Sequence, residues 1–374
     1  MKLLFVLENY PPHYGGVEVV FENICTRLAK HHRVALITHR VRGSKKQERK
    51  KGVHITRTPR CWWRHAFILL APFYSLGKKA DLVHTTTFNS AAAGWLIARL
   101  KRIPVVLTVH ETWIGKWALH TNMPRWKIFV HECIERCIFA LHYDTYICVS
   151  DTTAAHLKAV LPAKLHDRIV VNHNGVDYTH WHRKKHAAKA KRLRKRLGVK
   201  KPFVVLGYGR PVYTKGLQFL ARAFPKVLNS IRAHLVLIVS RDKAFEQPYQ
   251  ELVKSLDAVR SHVTLLPAVP YKDLPSYILM ADCVVVPSLA EGFGYTTVET
   301  NALGVPVVAS DVGSIPEVIS GKHVLVTPAD PTSIAEGILN VHRKEYSVKK
   351  GKKYRWKANV KRLEEVYASL TSSS

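Results

Sequence analysis

The sequence predicts two doubly wound α/β domains, and three observations lead there. Short apolar runs alternate with amphipathic stretches along the chain, the pattern of parallel strands joined by helices. The alternation stops at a basic stretch near residues 175–201 and then restarts. A length of 374 residues with 47% apolar side chains suits two domains, each able to bury its own core.

Each element follows from local pattern. Residues 3–7, 33–38, 53–56, 82–84, 105–109 and 146–149 are Val-, Ile- and Leu-rich and read as strands of the first domain. A helix is expected over residues 17–30, after a Pro/Gly loop. Residues 203–206, 235–239, 263–266, 283–286 and 305–308 read as strands of the second domain. Residues 352–370 carry Trp356, Val360, Leu363, Val366 and Tyr367 on one stripe, the spacing of a helix with one buried face. The expected boundaries are a first domain over 1–180, a basic linker over 181–201, a second domain over 202–351, and a final helix over 352–374 returning to the first domain.

The charge is far from ordinary: 58 Lys and Arg against 27 Asp and Glu, a net +31. Residues 1–201 hold 37 of those cations and 12 of the acids, a net +25, whereas residues 202–374 are only +6. Two runs concentrate it, 40–51 and 183–201, the latter with 11 Lys or Arg in 19 residues. Such runs suit solvated faces, an anionic membrane surface or a nucleic acid. The segment Arg60-Cys61-Trp62-Trp63-Arg64-His65 leads into a short apolar stretch that is either a buried helix or an interfacial one. No zinc-finger spacing, ribonucleoprotein aromatic motif or helix-turn-helix supports nucleic acid, so none is expected as a partner. No apolar run is long enough for a membrane-spanning helix. No secretory leader precedes the first strand, which leads to an expected location inside the cell. Cys25, Cys61, Cys133, Cys137, Cys148 and Cys283 form no CxxC pair and are expected to be reduced core thiols, Cys133 and Cys137 included.

In doubly wound sheets, ligands bind beyond the carboxyl ends of the strands, so the loops there are the candidates for chemistry. Gly15-Gly16 follows the first strand and opens a helix, leaving amides free to face an anion or making a simple turn. Gly207-Tyr208-Gly209-Arg210-Pro211-Val212-Tyr213-Thr214-Lys215-Gly216 begins like a dinucleotide fingerprint but has Val212 where the third Gly belongs, and it lacks a P-loop ending. Its Arg210 and Lys215 offer a planar fork and a point cation, suited to a diphosphate or present as an incidental surface pair. Glu291-Gly292-Phe293-Gly294-Tyr295-Thr296-Thr297-Val298-Glu299 places two carboxylates around a Gly-rich helix start near Tyr295 and Thr296, acceptors for sugar and ribose hydroxyls. His110, at a strand end before Glu111, is either structural or a contact for a sugar or acceptor. The sequence holds no Asp-x-Asp, so nothing in it calls for a metal clamp.

Together these segments resemble the family 4 retaining glycosyltransferases of the GT-B fold, over nearly the whole chain. The Glu291-x7-Glu299 segment with Gly-Phe-Gly is the most specific mark; Asn174-Gly175-Val176-Asp177 is a further one. The resemblance implies two Rossmann-like doubly wound domains facing a central cleft, with acceptor on the first domain and nucleotide sugar on the second. It assigns Arg210 and Lys215 to the diphosphate, and Glu299 to the ribose. Glu291, Phe293 and Gly294 go to the donor sugar, with the adjacent Tyr295 and Thr296 in the donor site. The loop reaching Val269 is matched to the base, and Gly15, Gly16 and His110 to the active site. It implies a UDP- or GDP-sugar donor, retention by front-face displacement, no cofactor and no metal. Thr296-Thr297 and Glu111 depart from the usual family residues. The excess charge on the acceptor half points to a lipid-linked glycan or glycolipid at an anionic membrane, reached by a peripheral enzyme on the inner face of the cell membrane. A sugar-nucleotide epimerase of the same fold and a basic nucleic-acid-binding protein are the alternatives.

Overall fold

The computed structural model describes residues 1–372 apart from 14, 60–64, 122, 200–201 and 243–244. The chain divides into two compact units: 1–117, 124–175 and 354–374 form the first, and 118–123 with 176–353 form the second. Both are α/β.

The first unit is built on strands β1 (Lys2–Val6), β2 (Arg33–His39), β3 (Gln47–Lys50), β4 (Val53–Thr58), β5 (Leu82–Thr86), β6 (Val105–Val109), β7 (Thr145–Cys148) and β8 (Ile169–Val171). They lie in the order β3-β4-β2-β1-β5-β6-β7-β8. All neighbours are parallel except β3 and β4. The inner strands are buried along their length because helices cover both faces, which is why they read as continuous apolar runs. Strand β3 does not read as one: Gln-Glu-Arg-Lys is polar throughout, and it pairs only at the sheet edge, Gln47 opposite Thr56. Part of the basic run expected as a solvated face or loop is therefore a strand.

The final helix, Trp356–Ser372, belongs to this unit. Its buried residues include Trp356, Val360, Leu363, Val366 and Tyr367, the stripe read from the sequence. Three contacts fix it. The Trp356 ring lies where a Cβ on Gly175 would sit, so residue 175 must lack one. The Arg27 guanidinium stands 5.2 Å from the centre of that ring. Tyr367 and His84, both fully buried, share a 2.5 Å hydrogen bond through His84 Nδ1, and His84 Nε2 meets Thr108 Oγ1 at 2.7 Å. Burial holds the His84 imidazole down to about 3, so the ring is neutral.

The second unit carries β9 (Phe203–Gly209), β10 (Ala233–Val239), β11 (Val263–Pro267), β12 (Cys283–Val286), β13 (Val307–Ser310), β14 (Gly321–Val326) and β15 (Ser347–Lys349), in the order β11-β10-β9-β12-β13-β14-β15. Only β14–β15 is antiparallel. The basic stretch expected as a linker is helix Arg183–Arg196 within this unit. Its cations find acids: Arg194 grips Asp282 with two nitrogens at 2.9 and 2.7 Å, and Lys189 meets Asp273 at 2.5 Å. Those partners lie 88 and 84 residues downstream, so composition alone reads the stretch as unpaired charge. Among the described residues, no helix is long and apolar enough to cross a membrane.

Replacing Tyr367 with Phe keeps the packing but strands His84 Nδ1 in an apolar core. We expect a loss of about 1–2 kcal/mol, read from the urea midpoint; an unchanged midpoint would show that the bond does not hold the helix.

Candidate functional site

The strand order turns outward at two places, between β1 and β5 in the first unit and between β9 and β12 in the second. At such a switch point the loops leave in opposite directions and open a crevice at the carboxyl ends.

In the second unit the loops after β9 and β12 are tied together there. Lys215 Nζ meets Glu291 Oε1 at 2.6 Å, and Ser288 Oγ donates to the same oxygen at 2.9 Å. The Leu289 amide donates to the Thr214 carbonyl at 2.7 Å. Gly216 has φ +64°, and a Cβ on it would collide with the Pro287 carbonyl, so only glycine lets the two loops touch. The backbone of Glu291 is fixed as well: its carbonyl accepts from the Ser314 amide and hydroxyl, both at 3.1 Å. Glu291 is nearly buried and Lys215 about a quarter exposed, so one ammonium proton holds the carboxylate while others remain available to an anion. Arg210 is exposed, its guanidinium 5.7 Å from the centre of the Phe245 ring.

Helix Tyr295–Leu303 starts from Gly294 at φ +74° with no side-chain cap, and the positive end of its dipole lies at this start. Phe293 is buried, and its ring packs on Tyr295 at 5.0 Å. Thr296 offers its carbonyl to Tyr208 and to Thr300, at 3.4 and 2.7 Å. One turn in, Glu299 is buried, with the Tyr208 and Tyr271 hydroxyls each 3.5 Å from its carboxylate. Burial outweighs those two hydrogen bonds and pushes the Glu299 carboxyl up to about 8. Val269 is half-buried in the loop after β11, and Tyr271 follows it. Tyr271 stacks on His180 at 4.8 Å and accepts from Trp181 Nε1 at 3.1 Å.

The structure thus gathers Lys215 with Glu291, and Phe293, Gly294, Tyr295 and Thr296 with Glu299, at the carboxyl ends of the second sheet. Sequence reasoning missed Tyr208, Tyr271, Ser288 and Ser314. Tyr208 and Ser288 stood within or beside the motifs, but Tyr271 reaches Glu299 from 28 residues away with no pattern to announce it.

In the first unit, Gly15 and Gly16 follow β1 and His110 follows β6. A Cβ on Gly15 would meet the Glu18 carboxylate, which also lies 3.1 Å from His13 Nδ1, whereas Gly16 faces open space. A carboxylate thus already occupies part of the helix start expected to face an anion. His110 packs edge-on to Phe21 at 6.0 Å, and its buried Nε2 has no hydrogen-bond partner among the described residues. Burial holds its ring down to about 4, so it is neutral at pH 7 and can donate or accept one bond. Cys25, Cys148 and Cys283 are buried free thiols, but Cys133 is half-buried and Cys137 exposed, which corrects the expectation that both are core. Cys61 lies outside the described residues.

The raised Glu299 carboxyl has a consequence for stability. Between the ordinary value of 4.5 and about 8, the folded chain keeps a proton that the unfolded chain has lost. Stability therefore declines as pH rises through that window and levels off above it. Glu299→Gln is expected to flatten the decline and to be more stable than wild type above pH 8 by on the order of 1–4 kcal/mol. Urea denaturation from about pH 5 to about pH 9 measures it, and an unaltered slope would remove the raised carboxyl.

Comparison with known proteins identifies the family. Residues 14–180 match the family described as Glycosyltransferase Family 4, and residues 189–362 match Glycosyl transferases group 1. An uncharacterized glycosyltransferase of Methanocaldococcus jannaschii is 29% identical over 98% of both chains. A D-inositol 3-phosphate glycosyltransferase of Thermobifida fusca is 32% identical over 72% of this chain and 63% of its own. Among solved structures, a sucrose-phosphate synthase from Thermosynechococcus elongatus is 19% identical, covers both chains completely and superposes with a TM-score of 0.79. The Anabaena protein HepE, solved with UDP and glucose, is 17% identical over 99% of this chain and all of its own, also at 0.79. The chain belongs to the family 4 glycosyltransferases and has their GT-B fold.

Proposed function

We propose that this glycosyltransferase moves a sugar from a nucleoside diphosphate sugar to a lipid-linked glycan or glycolipid, with retention at the anomeric carbon and without a metal. The observation that carries the reading is the joined pair of loops in the second unit, with Lys215 held on Glu291 at 2.6 Å beside the uncapped helix start at Gly294. The bond from the anomeric carbon to the diphosphate oxygen breaks, the acceptor hydroxyl oxygen bonds to the same face, and its proton passes to the departing phosphate oxygen. Negative charge grows on the leaving phosphate, where Lys215, Arg210 and the positive end of that helix supply counter-charge in place of a cation. Glu291 holds Lys215 and accepts from sugar hydroxyls. Glu299, flanked by two tyrosine hydroxyls, receives the ribose, and the loop around Val269 lies against the base. His110, neutral and with one ring nitrogen unpaired, contacts the sugar or acceptor. HepE has been solved with UDP-glucose, which makes UDP-sugars the first donors to test, beside GDP-sugars.

Because helix Arg183–Arg196 belongs to the second unit, the charge expected on the acceptor half is shared: the first unit carries 30 Lys and Arg against 13 Asp and Glu, a net +17, and the second a net +14, so it is the first unit's own +17 that supports an anionic acceptor surface. That suits a peripheral enzyme at the anionic inner face of the cell membrane.

Saturation-transfer NMR with UDP-, GDP- and ADP-sugars tests the donor; failure of every nucleotide sugar to bind would defeat the reading. Nucleoside diphosphate should be released only when acceptor is present. Conversion of donor without acceptor would indicate an epimerase.

Arg210→Ala and Lys215→Ala are each expected to weaken donor binding about 10- to 100-fold. Glu291→Gln and His110→Ala should lower turnover more than binding. Wild-type rates in all four variants would put the site elsewhere, and loss of activity on chelation would end the metal-free claim.

A further inference from the structure

We propose that the outward face of helix Arg125–Ala140, in the first unit, docks on an anionic lipid bilayer. The inference deepens the lipid-linked acceptor reading and rests on it for purpose, but the side chains that carry it are none of those assigned to donor or acceptor.

The helix is apolar on two opposite sides. Its inner side buries Glu135, Ile138 and Phe139 against the sheet. Its outer side carries Trp126, Phe129, Val130 and Ile134, which are 66%, 68%, 43% and 41% exposed. Their spacing of three, four and eight residues puts them on one stripe, and the exposed Cys137 continues it. A surface helix ordinarily turns its polar residues outward.

The charges are sorted in the same sense. Both carboxylates of the helix are engaged with the preceding loop: Glu135 accepts from the Trp113 amide at 2.8 Å and from Trp117 Nε1 at 3.0 Å, and Glu132 accepts from the Gly115 amide at 3.0 Å. Arg125, Lys127 and Arg136 are exposed. The Lys127 ammonium stands 5.4 Å from the centre of the Trp126 ring. Apolar side chains with a tryptophan, rimmed by cations while the acids are held elsewhere, match the chemistry of an anionic headgroup layer over acyl chains. The first unit as a whole, with 30 Lys and Arg against 13 Asp and Glu and so a net +17, supplies the long-range attraction.

Two other helices lie on the same side of the sheet. Ala66–Ser75 and Asn89–Lys101 contribute Phe67, Ala71, Ile97 and Ala98 to the same core cluster as Ile138 and Phe139, so all three helices cover one face of the sheet. Leu69, Phe73 and Leu100 on those helices are exposed as well. The foothold read from the sequence, Trp62-Trp63, lies outside the described residues.

Co-sedimentation of the full chain with vesicles of phosphatidylcholine, alone or mixed with phosphatidylglycerol, tests the proposal. Binding should rise with phosphatidylglycerol and fall with salt. Trp126→Ser combined with Phe129→Ser should lower partitioning about tenfold or more. Arg125→Glu combined with Lys127→Glu, which touches no buried group, should abolish the preference for anionic vesicles. Circular dichroism and donor saturation transfer should stay at wild-type levels in both. Wild-type partitioning in both double variants would overturn the proposal, as would a wild-type dimer in sedimentation velocity that the Trp126/Phe129 variant dissolves, since the stripe would then cover a second copy. A protein that binds vesicles as expected but no nucleotide sugar would keep this surface and lose the transferase mechanism instead.

Discussion

The second unit depends on one ammonium held against one carboxylate where two parallel strands separate. Strands β9 and β12 are neighbours, and their loops would diverge without a tether. Lys215 and Glu291 supply it, and the Gly216 backbone closes against Pro287 because no side chain intervenes. The pair is partly shielded from water, so removing the cation would leave a nearly buried carboxylate with Ser288 as its remaining side-chain partner. The same contact that fixes the loops therefore also aims a positive charge, and structure and chemistry cannot be varied independently at this point.

A second constraint acts on Glu299. Its helix begins at a left-handed glycine, which sets the direction of the first turn and so the depth of the residue one turn in. Burial alone would favour the neutral acid; Tyr208 and Tyr271 oppose this by offering hydroxyls. Tyr271 is in turn held by His180 and Trp181, so an aromatic group near the start of the unit steadies a carboxyl far along it.

Much of this was legible in the sequence, and the reason is periodicity. Strands buried on both faces, such as β1, β9 and β12, announce themselves as apolar runs, Leu-Leu-Phe-Val, Phe-Val-Val-Leu and Cys-Val-Val-Val. The Glu291-to-Glu299 segment is likewise local, because a helix start is specified by adjacent residues. What escaped depended on partners distant in the chain. Helix Arg183–Arg196 looks like unpaired charge until Asp273 and Asp282 are beside it. Strand β3 is polar because only its edge pairing makes it a strand. Cys133 and Cys137 share a helical face, as their spacing implies, but spacing does not say which face is buried, and Glu135, Ile138 and Phe139 took the inside.

The path of the chain sets an order on biosynthesis. It leaves the first unit at Gly175 and re-enters it for good only at Tyr354. Phe5, Phe21 and His84 form an aromatic cluster whose cover includes Tyr367. As the polypeptide emerges from the ribosome, that cluster is made early and stays uncovered while the whole second unit is synthesised. The later-made unit can complete its sheet first, and the earlier one waits for the last segment. Until then the nascent protein presents an aromatic surface of the kind that chaperones bind, and loss of the final helix would damage the half of the molecule that was translated first.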